Sequence, residues 1–264
     1  MIIRKSRQEI EGMARAGRVV AGTLALLRDH TEPGAVLRDL DTLAEDYIRS
    51  HGGTPTSLGY KGYPAAICIS PNELIVHGIP GAYALRDGDI VTYDIGVTLD
   101  GLIADSAWTF PVGDVSEQAL RLLATGERAL YAGIAQARAG NRVGYISAAV
   151  QDAVEGAGFA VVKALVGHGV GRHYHEDPQV PNYGPPASGR VLAPGMTLAI
   201  EPMITAGSSE IVLHEDEWSI STADGSLSGH FEHTVAITEG EARILTRQPV
   251  ETAVSASART GAAT

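Results

Sequence analysis

Asp94 and Asp105 flank the dipeptide Asp100-Gly101 in the run from Thr92 to Asp105. Asp-Gly is a strong signal for a two-residue hairpin, because a type I′ turn needs positive φ at both central positions. With those residues at the turn, Leu99 faces Leu102 and Gly96 faces Asp105. Asp94 then lies diagonally from Asp105 on the same face, about 7–8 Å away at the backbone. Gly96 leaves space beside the pair. Two carboxylates so placed must share a proton or a cation. Near a turn both can equally point into water, so the hairpin alone leaves both readings open.

The second half of the chain offers further donors. His168 stands among Gly167, Gly169 and Gly171. Such bare backbone gives an imidazole room to reach a ligand, or simply to sit in a turn. His175 follows, just ahead of Asp177-Pro178. Glu201 interrupts the apolar run from Leu198 to Ile204, a costly place for a carboxylate unless it is paired or bound to a metal. Pro202 beside it confines the segment to a strand end or edge. Phe231 to Ile237 reads as a strand with Glu232 and Thr234 on one face. His233, on the other face, is expected in the core rather than among ligands. Asp94, Asp105, Glu201, Glu232 and a histidine make an oxygen-rich set that suits hard or borderline divalent ions. Bridging carboxylates let such a set hold two ions, which activate a water and polarise a carbonyl. Spacing alone does not prove that these residues converge.

The elements that must position them follow a simple order. Ser6 and Glu9 form a capping box, and Ile10, Met13, Gly17, Val20, Leu24 and Leu27 then recur at helical spacing until Pro33-Gly34. A second helix carries Leu37, Leu40, Ala44, Tyr47 and Ile48 and ends at Gly52-Gly53. Strands are expected over 66–70, 90–99 and 102–110. The order then recurs. Ser116 caps a helix carrying Leu120, Leu123, Leu130 and Ile134, and Gly140-Asn141 breaks it. Ile146, Ala149, Val150, Ala153 and Val154 mark another helix before Gly156 and Gly158, and strand-rich sequence runs on to Leu245. The repeat has a period of roughly 110 residues. It is either ordinary α+β alternation or a duplicated fold with its site between the halves.

Of the 264 residues, 44% are hydrophobic, enough for a sizeable core. The net charge of −11 leaves no basic surplus for nucleic acid or an anionic membrane. The single cysteine, Cys68, excludes an internal disulfide. No stretch approaches the roughly 20 apolar residues of a membrane helix, and no signal-peptide core follows Met1. A cytoplasmic location is expected, and the Ala- and Ser-rich stretch 251–264 is expected to be a flexible tail.

At the residues named above the sequence resembles the type I methionine aminopeptidases, members of the pita-bread metallopeptidases. The likeness covers residues 5–246. Its motifs are Leu58-Gly59-Tyr60-Lys61-Gly62-Tyr63-Pro64, Asn72 to Pro80 around His77, the Asp94 to Asp105 hairpin, His168 to Tyr183, Glu201-Pro202-Met203 and Phe231-Glu232-His233-Thr234. The resemblance implies an α+β pita-bread fold, with two pseudo-symmetric helix-helix-strand halves around a central antiparallel sheet. One catalytic domain would span 1–250, with halves at about 5–112 and 113–247. The implied activity is removal of the initiator methionine from nascent proteins whose second residue is small. The implied cofactors are two divalent ions, Co, Mn, Fe or Zn.

By the same resemblance, Asp94, Asp105, His168, Glu201 and Glu232 are the metal ligands, with Asp105 and Glu232 bridging. Glu201 also shuttles the proton of the activated water. His175 bonds the scissile carbonyl, and His77 contacts the peptide nitrogen side. Tyr60, Tyr63, Cys68, Tyr174 and Trp218 match positions lining the methionine pocket, where aromatic walls and a soft sulfur suit a thioether. The implied partners are N-termini of nascent polypeptides, with the ribosome a candidate docking partner, no nucleic acid, no membrane and a monomeric state.

The sequence departs from the family pattern at Lys61, Val76 and Ile103-Ala104, none of them a ligand position. It lacks the N-terminal zinc-binding extension of eukaryotic cytosolic type I enzymes and the helical insert of type II, so a minimal bacterial form is expected. The competing readings are a prolidase or aminopeptidase P, which carry an additional N-terminal domain, and a non-catalytic pita-bread peptide-binding module, which would have lost ligands.

Overall fold

The computed structural model describes residues 2–247, so the expected tail at 251–264 lies outside the described residues. Ser6 caps helix α1 (Arg7–Asp29) through the full capping box with Glu9. Helix α2 (Leu37–Ser50) follows, then β1 (Thr54–Pro55), a 3-10 turn at Tyr60–Gly62, β2 (Cys68–Pro71), β3 (Leu74–Val76), β4 (Ile90–Leu99) and β5 (Leu102–Pro111). The second half opens with α3 (Glu117–Gln136), capped by Ser116, and α4 (Val143–Glu155). Its strands are β6 (Ala160–Val161), β7 (Gly167–Gly169), β8 (Glu176–Val180), β9 (Thr197–Ile200), β10 (Met203–Thr205), β11 (Ile211–Leu213), β12 (Ile220–Thr222), β13 (Ser228–His230), β14 (His233–Ala236) and β15 (Arg243–Ile244). Helix, helix, strands therefore occurs twice.

All the strand ladders among the described residues are antiparallel. β4 pairs with β5 along its length and with β1 and β2 on its other edge. The largest sheet of the second half has the order β15-β14-β9-β7-β8. Side chains join these two sheets along β5. Thr234 Oγ1 donates to the Asp105 carbonyl at 2.8 Å and accepts from the Asp105 N–H at 2.9 Å. The Glu232 N–H donates to the Ala107 carbonyl at 2.8 Å. The seam between the halves thus runs through the backbone of two of the carboxylate-bearing segments, those of Asp105 and Glu232.

Each half has its own core. Leu24, Leu27, Ile48, Ile69 and Tyr93 pack α1 and α2 onto β4 and β2. Leu130, Ile146, Leu198, Ile200, Phe231 and Val235 pack α3 and α4 onto β9 and β14. Each such side chain contributes about 1.5–3 kcal/mol on burial. Gly126 brings α3 against the segment before β14, since a Cβ there would lie 2.3 Å from the Phe231 ring.

The structure departs from the sequence expectations in detail. Leu120 is 53% exposed, and Ala119 and Leu122 take the core-facing positions of that turn of α3. The strand expected at 66–70 begins at Cys68, because the Ala66 and Ile67 N–H groups donate to Asp41 Oδ1 at 3.0 and 2.9 Å instead of to a ladder. The run 198–204 is two strands, β9 and β10, with Glu201 and Pro202 in the break. Proline has no N–H to continue the ladder. Among the described residues no helix is long and apolar enough to cross a membrane.

In an open helix Gly126→Ala would stabilise by about 0.5–1 kcal/mol. Here the added methyl must displace Phe231, and overpacking of this kind costs about 1–3 kcal/mol. The urea midpoint of Gly126→Ala should therefore fall, and a raised midpoint would contradict the packing described.

Candidate metal centre

The hairpin forms as its sequence requires, with φ of 51° at Asp100 and 75° at Gly101. Gly96 pairs with Asp105 and Asp94 with Ala107, which places Asp94 and Asp105 diagonally on one face. Their carboxyl groups lie close enough for each to shift the other's titration. The space left by Gly96 is filled, since a Cβ there would meet Tyr174 Oη at 2.6 Å. The tyrosine ring thus closes one side of the pair, anchored by Ser57 Oγ at 3.1 Å.

The other donors arrive from the second half. His168, on β7, has Nδ1 2.9 Å from the Gly169 carbonyl, which can only accept. Nδ1 therefore carries the proton, and the Nε2 lone pair faces the carboxylates. Nε2 lies 3.3 Å from Glu201 Oε1 and 4.0 Å from Asp105 Oδ2. Glu201 occupies the break between β9 and β10, fixed by Asn182 Nδ2 donating to its carbonyl at 2.9 Å. Glu232 reaches the same point from the segment before β14. Donor atoms of Asp105, His168 and Glu232 lie within 4.8 Å of one another.

These groups are nearly dry, with Asp105 4%, Glu201 9% and Glu232 1% exposed. Desolvation pushes the Asp94 carboxyl up to about 7, offset in part by the neighbouring Asp105. Desolvation and then the neighbouring Asp94 push Asp105 well above the usual carboxylate range. Desolvation followed by the charge of Asp105 does the same to Glu201 and Glu232. His168 is shifted down by desolvation and stays neutral, as a ligand must.

The fit to a cation can be tested on the oxygen atoms themselves. Asp94 Oδ1, Asp105 Oδ1, Glu201 Oε1 and Glu232 Oε1 are buried without a hydrogen-bond partner. Unpartnered buried oxygens are costly in protein interiors. Carboxylate oxygens with one neutral imidazole match the donor preference of hard and borderline divalent ions. The residues present therefore fit a divalent cation.

All of the expected metal-ligand, catalytic and methionine-pocket residues line one cavity of about 310 Å³. Tyr63 and Trp218 meet edge to face at 5.1 Å, with Cys68 packed beside them and His77 6.2 Å from the indole. Tyr60 and Tyr174 form a second aromatic wall at 5.1 Å. His175 sits at the mouth with Nδ1 3.0 Å from Tyr60 Oη and its ring 4.3 Å from His168. Desolvation, followed by His168, Lys61 and His77, holds His175 neutral. His233 lies away from the cavity, with Nδ1 2.9 Å from Thr246 Oγ1.

Sequence reasoning passed over several lining residues, among them Ser57, Leu165, Met203 and His230. His230 is 1% exposed, and its Nε2 lies 3.7 Å from Glu201 Oε2. His230 ends β13 and Glu232 lies in the break before β14, so no strand alternation links the two in sequence.

The profile of metallopeptidase family M24 matches residues 11–239. The chain belongs to metallopeptidase family M24. Methionine aminopeptidase 1 of Bacillus subtilis is 49% identical over 247 residues, covering 94% of this chain and all of the relative. Methionine aminopeptidase 1 of Mycobacterium tuberculosis is 44% identical and covers 93% of this chain and 95% of its own length. Among solved structures, the methionine aminopeptidase of Thermotoga maritima aligns with a TM-score of 0.92 at 44% identity, over 94% of this chain and 100% of that one. The prolidase of Pyrococcus furiosus aligns at 0.76 with 21% identity, over 93% of this chain and 66% of the prolidase, which shows the fold alone. This M24 chain has the α+β pita-bread fold and uses divalent metal.

A carboxyl whose pKa is higher folded than unfolded supports the fold most fully below about pH 4 and loses that support as pH rises through its folded value. The metal-free protein should therefore weaken as pH rises from the unfolded carboxylate range through about 7, where Asp94 titrates. Asp105, Glu201 and Glu232, raised by desolvation as well, add to that loss. A divalent cation replaces the protons and removes the penalty. The rise in Tm on adding Mn(II) should grow from about pH 5 to about pH 8, and a constant or shrinking rise would contradict the assignment.

Proposed function

We propose that this chain is a metal-dependent aminopeptidase that removes the N-terminal methionine of new polypeptides when the second residue is small. One observation carries the reading. Carboxyl oxygens left without partners cluster beside an aromatic pocket, in a chain nearly half identical to a methionine aminopeptidase along its whole length.

Asp94, Asp105, His168, Glu201 and Glu232 would hold two divalent ions, with Asp105 and Glu232 shared between them. Bound ions of this kind lower the pKa of water and polarise a carbonyl. Co, Mn, Fe and Zn all accept such a donor set. Tyr60, Tyr63, Cys68, Tyr174 and Trp218 take the methionine side chain, where the thioether meets ring edges and a sulfur that burial keeps as a thiol. Lys61 brings its ammonium 5.4 Å from the Tyr60 ring centroid, at the rim of this wall.

The chain's own groups supply the proton traffic. Glu201, whose pKa is raised by burial, takes the proton of the attacking water and hands it to the leaving amine. In this reading Tyr60 Oη, 3.0 Å from His175 Nδ1, is the donor, which leaves the neutral imidazole an Nε2–H. That hydrogen bonds the scissile carbonyl and the oxyanion developing from it. His77, desolvated and neutral, contacts the peptide nitrogen side. One catalytic unit, spanning 1–250 with halves near 5–112 and 113–247, contains this machinery. We read the enzyme as a cytoplasmic monomer acting on nascent chains, with the ribosome a candidate docking partner.

With Mn(II) or Co(II), the purified protein should release methionine from Met-Ala-Ser. It should spare both Leu-Ala-Ser and a peptide with a bulky second residue. Equal release from all of these would contradict the pocket assignment. Glu201→Gln should lower kcat by about 10²-fold or more while its circular dichroism stays unchanged. Retained activity would remove Glu201 from the proton path.

A further inference from the structure

The turn that presents His175 is tied to the N-terminal arm by an ion pair buried from water. Lys5 Nζ bonds Glu176 Oε2, and the two side chains are 1% and 2% exposed. The other oxygen, Glu176 Oε1, accepts the backbone N–H groups of Arg172 at 2.7 Å and His173 at 3.0 Å. The arm is fixed in turn, since the Lys5 N–H donates to the Gly195 carbonyl at 2.7 Å. Contact between arm and turn is close. A Cβ on Gly171 would lie 2.5 Å from Lys5 Cε.

A buried pair of this kind brings little net stability over apolar side chains of the same size, because both ions lose their water. Its geometry does something an apolar pair cannot. One carboxylate receives the lysine on one oxygen and closes a three-residue turn with the other. His175 is the residue immediately before that carboxylate, and its ring otherwise meets Tyr60, Tyr174 and His168.

We propose that the Lys5–Glu176 pair is a positioning clamp that sets the place of the His175 imidazole over the metal centre. Lys5 and Glu176 do not touch substrate. They act through the turn 171–176. This rests on the reading of His175 as the group that bonds the scissile carbonyl. Removing the lysine charge leaves a buried anion that must turn to water or take a proton. Either change releases the Arg172 and His173 N–H groups and lets His175 move.

The test uses the Mn(II)-loaded full chain and Met-Ala-Ser. Lys5→Met should lower kcat about tenfold or more, with KM and the affinity for Mn(II), measured by titration calorimetry, within about twofold. Lys5→Met combined with Glu176→Gln should recover most of the loss, because the glutamine oxygen still closes the turn without a charge to neutralise. In a His175→Ala background, Lys5→Met should change kcat by less than about twofold. Multiplicative losses in that cycle, or a loss of Mn(II) binding that accounts for the fall, would overturn the clamp. Unchanged kcat in Lys5→Met beside an impaired His175→Ala would also overturn the clamp alone. Unchanged kcat in His175→Ala would overturn the reading of His175 and the clamp with it. Should Lys5→Met fail to fold, the comparison passes to Lys5→Met with Glu176→Gln against Lys5→Met with Glu176→Ala. The first should be the more active, and equal activity would overturn the clamp.

Discussion

Asp94, Asp105, Glu201 and Glu232 point into a space that excludes most water, and four anions cannot coexist there. At neutral pH the group must either hold protons or share cations. Desolvation raises each pKa, and the mutual charges of the carboxylates raise three of them further. Protons satisfy the charge but leave oxygens without partners, and the buried atoms Asp94 Oδ1, Asp105 Oδ1, Glu201 Oε1 and Glu232 Oε1 record that. Cations satisfy both. The neutral His168, its proton committed to the Gly169 carbonyl, adds a lone pair without adding charge.

The rest of the architecture can be understood as what holds these groups together against their repulsion. Two come from the first half and three from the second, so neither half can form the centre alone. The bonds between Thr234 and the Asp105 backbone, and between the Glu232 N–H and Ala107, lock the halves at the carboxylates themselves. Glycines then set the close approaches. Gly96 admits the Tyr174 ring beside the aspartate pair, and Gly126 lets α3 press on Phe231 next to Glu232.

Much of this was legible in the sequence where local chemistry decides the outcome. The Ser6 capping box, the Asp100-Gly101 turn and the diagonal placement of Asp94 and Asp105 are each fixed within a dozen residues. The alternation that separates Glu232 from His233 is local too. What stayed hidden depends on contacts between distant segments. Leu120 satisfies a helical pattern, yet the facing sheet takes Leu122 instead. Asp41 intercepts the N–H groups of Ala66 and Ile67 and delays a strand, from 25 residues away for Ala66. His230 gave no signal by type, since a lone histidine between Gly229 and Phe231 has no spacing of its own. Nothing local announced that Lys5 would be buried against Glu176.

The central claim is that the buried carboxyl cluster exchanges its protons for divalent cations. Titration calorimetry of the chelator-treated protein with Mn(II), run at neutral pH in buffers of different ionisation enthalpy, counts both species at once. The account predicts binding of two ions per chain, with net release of protons that disappears as the pH is raised above the carboxyl range. Failure to bind Mn(II), or binding with no proton released at neutral pH, would contradict it.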